Sequence, residues 1–74
     1  MGRMTKCGVQ ISALLNERGM TKKALAQHLG ISVNSLYNKM YGYQLFTQEE
    51  IQKIKILFNL SPEQLDKIFF TPVV

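Results

Sequence analysis

Val33, Asn34, Tyr37 and Asn38 carry the side chains of this sequence best suited to reading another molecule. If the segment from 33 to 40 is helical, Asn34 and Asn38 stand one turn apart on one face. A carboxamide offers a donor and an acceptor side by side, the pattern that pairs bidentately with an adenine edge in a major groove. Val33 can pack on a thymine methyl group. Tyr37 can stack, reach a phosphate with its hydroxyl, or do both. Tyr41 shares this outward surface, because Leu36 and Met40, one turn apart, claim the inward one.

Residues of reactive type elsewhere assemble into no catalytic set. His28 has no second histidine or cysteine at ligand spacing, so it is expected to face solvent rather than a metal. Cys7 is the single cysteine, which excludes an intrachain disulfide and reads as a small core residue at the start of a helix. Glu49 and Glu50 have the look of paired carboxylates. They fall, however, in a first helical turn, where negative charge is stabilised by the helix dipole, and are read as caps. With no nucleophile beside a base, no phosphate loop and no metal set, the sequence points to a binding protein that is not an enzyme and uses no cofactor.

The elements that must position these side chains follow from spacing. Between Met20 and Met40, Ala26 puts only a methyl group where two helices would cross, and Gly30 can take the positive φ of a sharp turn. Leu25, Leu29, Ile31, Leu36 and Met40 close that corner. This is helix-turn-helix spacing, in which the second helix is free to enter a major groove. Thr21 and Ser32 can cap the two helices. Ahead of them, Cys7, Ile11, Leu14 and Leu15 predict a first helix over roughly 8 to 18, stopped by Gly19. After them, Gly42 ends the reading helix, and Thr47-Gln-Glu-Glu50 is a capping box that opens a fourth helix with Ile51, Ile54, Leu57 and Phe58 inward. Ser61-Pro-Glu-Gln64 repeats the signal for a fifth, which buries Leu65, Ile68 and Phe69. The expected fold is all-α, five helices in one domain over 1–74, with flexible ends at 1–6 and 71–74.

Size and charge agree with that reading. A chain of 74 residues builds one small core. No apolar run approaches the length of a membrane span, no secretory signal opens the chain, and Lys6 stands where an N-terminal acylation signal needs Ser or Thr, so a cytoplasmic location is expected. Net charge is +4 and the pI about 9.5. Its distribution is uneven: residues 1–44 hold six cations against Glu17, whereas the remainder holds three against four carboxylates. Positive charge thus collects around the corner motif, as on a phosphate-facing surface.

The run Leu25-Ala-Gln-His-Leu-Gly-Ile-Ser-Val-Asn-Ser-Leu36 resembles the Cro and repressor family of phage-type helix-turn-helix proteins. Leu14-Leu-Asn-Glu-Arg-Gly-Met-Thr21 is similar to that family's approach to the motif. Ser35-Leu-Tyr-Asn-Lys-Met40 with the Ile68-Phe-Phe70 ending is similar to small prophage regulators of Gram-positive bacteria. Two positions depart: Lys39 stands where many members carry an apolar residue, and Tyr41-Gly42 replaces a common Asn-Gly.

The resemblance implies a lambda-repressor-like fold and operator DNA as partner. It also implies that Lys22 contacts a phosphate at the start of the second helix, where free amides also face an anion. Thr21 and Ser32 can add hydroxyl contacts, and Lys23, Lys39, Tyr43 and Gln44 are further backbone candidates. Ile68, Phe69 and Phe70 exceed what one buried helix face can cover. Either two copies cover them in a two-fold dimer spanning half-sites about 34 Å apart, or Phe70 folds back on its own domain. Two functions remain open: a transcriptional regulator that reads an operator, and a modulator that pairs with another repressor. The second draws on the apolar fifth helix and on a reading helix whose only cation is Lys39.

Overall fold

The computed structural model describes residues 4–69, which form five helices and no strand. They are α1 Lys6–Arg18, α2 Lys22–Leu29, α3 Val33–Met40, α4 Gln48–Phe58 and α5 Pro62–Phe69. Each starts where a hydroxyl accepts from an amide that no helical carbonyl can reach. Thr5 accepts from Gly8, Thr21 from Ala24, Ser32 from Ser35, Thr47 from Glu50 and Ser61 from Gln64, at 3.0 to 3.2 Å. Both expected capping boxes close, the Thr47 amide donating to Glu50 Oε1 at 2.8 Å and the Ser61 amide to Gln64 Oε1 at 2.9 Å. Gly30, at φ 75°, ends α2 in the left-handed region, so the corner is built on the residue that enters this region without strain.

The first helix begins two residues earlier than its apolar spacing suggests. Thr5 supplies a cap that the periodicity does not reveal, and it does more than cap. Its amide and its hydroxyl both donate to the Met40 carbonyl, at 3.1 and 2.9 Å, so Met4–Lys6 belong to the folded frame. The start of α1 is thereby fastened to the end of α3.

Ile11 and Leu15 of α1, Leu25, Ala26 and Leu29 of α2, Leu36 and Met40 of α3, and Ile54 and Phe58 of α4 form the core, with Leu60 and Ile68 completing it. α1 packs on α3 and α5, and α2 packs on α3 and α4. Arg18 locks the last joint: its guanidinium donates to the Phe58 carbonyl at 2.8 Å and lies over the Phe58 ring. An α4 carbonyl left without a helical partner is thereby satisfied.

Ile68 is buried in the core and Phe69 is half-buried, its ring meeting Phe46 edge-to-face at 5.6 Å and 79°. Phe46, from the α3–α4 loop, is the cover that the sequence did not suggest. Within one copy Ile68 is covered and Phe69 half-covered, and Phe70 and residues 71–74 lie outside the described residues.

Gly8 lies where α1 comes close to the end of α3. A Cβ built there collides with the Met40 carbonyl and the Met4 side chain. Alanine in a helix interior ordinarily gains about 1 kcal/mol over glycine. Here Gly8→Ala is expected to lose about 1 to 3 kcal/mol through overpacking. Urea denaturation reads the sign directly, and a variant as stable as the parent would show that α1 can move off α3 without cost.

Candidate nucleic-acid interface

α2 and α3 meet at Gly30, and the surface of α3 turned from the core is the one left to read a groove. Asn34 and Tyr37 stand exposed on it. Val33 is half-buried and packs against the core, so less of it is available than the sequence suggested. Asn38 is half-buried too. Its backbone carbonyl accepts from the amides of Tyr43 and Gln44 at 2.8 and 3.2 Å, which turns the chain sharply after α3.

Beside α3, Thr21 and Ser32 have hydroxyls committed as acceptors to caps, and both side chains are exposed. A hydroxyl that accepts from an amide can still donate, and Ser32 donates to Ser35 Oγ at 3.0 Å. Lys22 and Lys23 open α2, Lys22 half-exposed and Lys23 exposed. The Lys22 ammonium lies 5.8 Å from the centre of the Tyr37 ring. Tyr37 in turn stacks on Tyr41, centroids 6.4 Å apart. Tyr43 and Gln44 are exposed on the loop that follows.

Lys39 does not join this surface. Its ammonium lies 2.9 Å from Glu50 Oε1, with both side chains only 10% exposed. It donates to the Leu45 carbonyl at 3.1 Å and sits over the Phe46 ring. An ammonium held by a carboxylate, a carbonyl and a ring is not free to neutralise a phosphate. The sequence carried one signal of this: Lys39 occupies a place where many proteins resembling this one have an apolar residue, hence a place turned inward.

Glu50 is correspondingly more than a cap. Burial alone would raise its carboxyl pKa. The amide of Thr47 and the Lys39 ammonium, both favouring the carboxylate, outweigh that and hold it below the usual glutamate range. Cys7 behaves as the sequence suggests: it is half-buried against the core, and burial pushes its thiol up to about 11. A thiol so disfavoured as thiolate is a poor nucleophile. His28 is exposed. Among the described residues there is no group of three or more histidines, cysteines, aspartates or glutamates that could hold a metal, and no helix is long and apolar enough to cross a membrane.

A capped helix pair crossing at a glycine, backed by three further helices and presenting an exposed asparagine and tyrosine on its second member, defines an all-α helix-turn-helix DNA-binding domain. The comparison with protein families agrees: residues 10–68 match the Cro/C1-type helix-turn-helix DNA-binding domain, and the chain belongs to that family. It is a DNA-binding regulator of transcription by that membership. No curated protein and no solved structure matches the chain.

The ion pair gives a pH dependence of known sign. Glu50 has a lower pKa folded than unfolded, so its contribution is fully present above the unfolded value, about 4.5, and is lost as pH falls through the lower folded one. Stability should therefore decline on acidification below about 4.5, and Glu50→Gln should flatten that slope. Lys39→Met removes the ammonium from a largely buried carboxylate that then keeps only the Thr47 amide, and should cost about 3 kcal/mol at neutral pH. Thermal melts from neutral pH down into the acid range measure both effects. Equal acid slopes in the parent and Glu50→Gln would place the sensitivity elsewhere.

Proposed function

We propose that the protein is a sequence-specific transcriptional regulator of phage or prophage type, which lays α3 in the major groove of an operator. The observation that carries this reading is the exposed Asn34 on a helix whose N-terminal cap and preceding corner are both closed. Asn34 offers the adenine-pairing edge, with Asn38 and Val33 as flanking contacts of smaller exposure and Tyr37 beside them. Phosphates fall to Lys22, Lys23, Thr21 and Ser32 at the corner and to Tyr43 and Gln44 on the loop.

An eight-residue helix such as α3 is about 12 Å long, so one copy spans only a half-site. Two copies on half-sites one helical turn apart supply the length that operator discrimination requires. A homodimer on DNA is accordingly part of the proposal.

A second reading is favoured by one observation. The only cation on α3 is Lys39, and it is directed inward, which leaves the outward face of that helix uncharged. A surface of this kind also suits a protein partner, so the alternative is a modulator that pairs with another repressor and alters its DNA binding.

Selection from a random-sequence duplex library decides between them. The regulator should enrich a defined sequence, with affinity falling by about 0.9 log unit per log unit of salt for each phosphate neutralised. On the selected duplex Asn34→Ala should lose about 1 to 3 kcal/mol with little change on a scrambled one. Lys22→Ala should weaken both and lower the salt slope by about 1. No enrichment, together with co-purification of a repressor, would replace the operator reading by the modulator.

A further inference from the structure

We propose that Tyr37 is a positioning residue for Lys22, so that its ring sets non-specific phosphate affinity instead of reading a base; this rests on the DNA-binding reading of the α2–α3 surface. Three observations converge on it. The Lys22 ammonium lies 5.8 Å from the Tyr37 ring centre, within the range in which a cation is attracted by an aromatic face. The same ring stacks on Tyr41 at 6.4 Å with 29° between planes. The Tyr41 amide donates to the Tyr37 carbonyl at 2.9 Å, which keeps the two residues one helical turn apart.

The consequence lies in entropy. A lysine is a point charge on a long flexible stem, and immobilising it on a phosphate costs rotamer freedom. A lysine already drawn toward an aromatic face loses less on binding. Lys22 is the first residue of α2, so the ring holds a cation at a helix N-terminus, where the dipole also favours an anion. Tyr37 is 40% exposed, with Lys22 over its ring. The arrangement gives the charge-poor α3 a share in affinity through a cation that belongs to α2.

The test combines a spectroscopic readout with a double-mutant cycle. In the parent and in Tyr37→Phe, the Lys22 ε-methylene protons should be shifted upfield by the ring current, and in Tyr37→Leu the shift should vanish. Binding is measured on the library-selected duplex and on a scrambled duplex across a salt series. Tyr37→Leu should weaken both by the same factor, about two- to fivefold, and Tyr37→Phe should restore the parent affinity. In a Lys22→Ala background, Tyr37→Leu should have no further effect.

A loss confined to the selected duplex would make Tyr37 a base reader and overturn the proposal. An equal loss in Tyr37→Phe would assign the effect to the hydroxyl and overturn it as well. An unshifted Lys22 in the parent removes the contact itself, whatever the binding. A shifted Lys22 in a parent that binds neither duplex shows that the DNA reading has failed while the contact stands, and the positioning role falls with that reading.

Discussion

The Lys39–Glu50 ion pair ties the reading helix to the rest of the domain. Between α3 and α4 the chain runs from Tyr41 to Thr47 without regular structure, and a loop of that kind has little of its own to hold it. Lys39 reaches forward to Glu50 and to the Leu45 carbonyl, and the Asn38 carbonyl takes the amides of Tyr43 and Gln44. Glu50 at the same time closes the capping box with Thr47. The end of one helix, the path of the loop and the start of the next helix therefore share one carboxylate. Phe46, placed by this arrangement, covers Phe69, so the seating of α5 depends on it as well.

The electrostatic surface follows from the same internal commitments. A count of cations around the corner motif suggests a broad phosphate-facing patch. Two of those cations are used inside the molecule: Arg18 on the α4 carbonyl and ring of Phe58, and Lys39 on Glu50. Among the described residues Lys22 and Lys23 at the start of α2, and the exposed Lys6 near the loop that follows α3, carry the charge that remains. Two of these cations, Lys22 and Lys23, stand at a helix N-terminus, where the dipole also favours an anion. The face of α3 itself is left to carboxamide and aromatic chemistry.

What the sequence disclosed and what it hid divide by range. The caps at Thr21, Ser32, Thr47 and Ser61 and the turn at Gly30 were legible because each is satisfied within a few residues of itself. The apolar face of each helix was legible for the same reason, since helical period is a local signal. Hidden were the contacts that join distant segments. Thr5 bonds to Met40 across 35 positions, Gly8 yields space to the same carbonyl, and Phe46 meets Phe69. The candidate site was read with the same bias: Asn34 and Tyr37 are exposed as their spacing suggested, whereas Lys39 was assigned by its charge alone. Its partner lies on the next helix, and no pattern within α3 could name it.

A lysine in a position that favours an apolar side chain needs a physical reason to be tolerated. Its aliphatic stem can fill the inward space as an apolar chain would, while the ammonium reaches the rim where Glu50 waits. Such a pair adds less stability than its Coulomb attraction suggests, because both charges must leave water. What it adds over a hydrophobic contact is direction. An apolar residue would accept several paths for the following loop with nearly equal energy, but an ammonium bonded at once to Glu50 and to the Leu45 carbonyl is compatible with few. Because Tyr43 and Gln44 ride on that loop beside α3, the shape of the surface they share is set by an ion pair packed behind it.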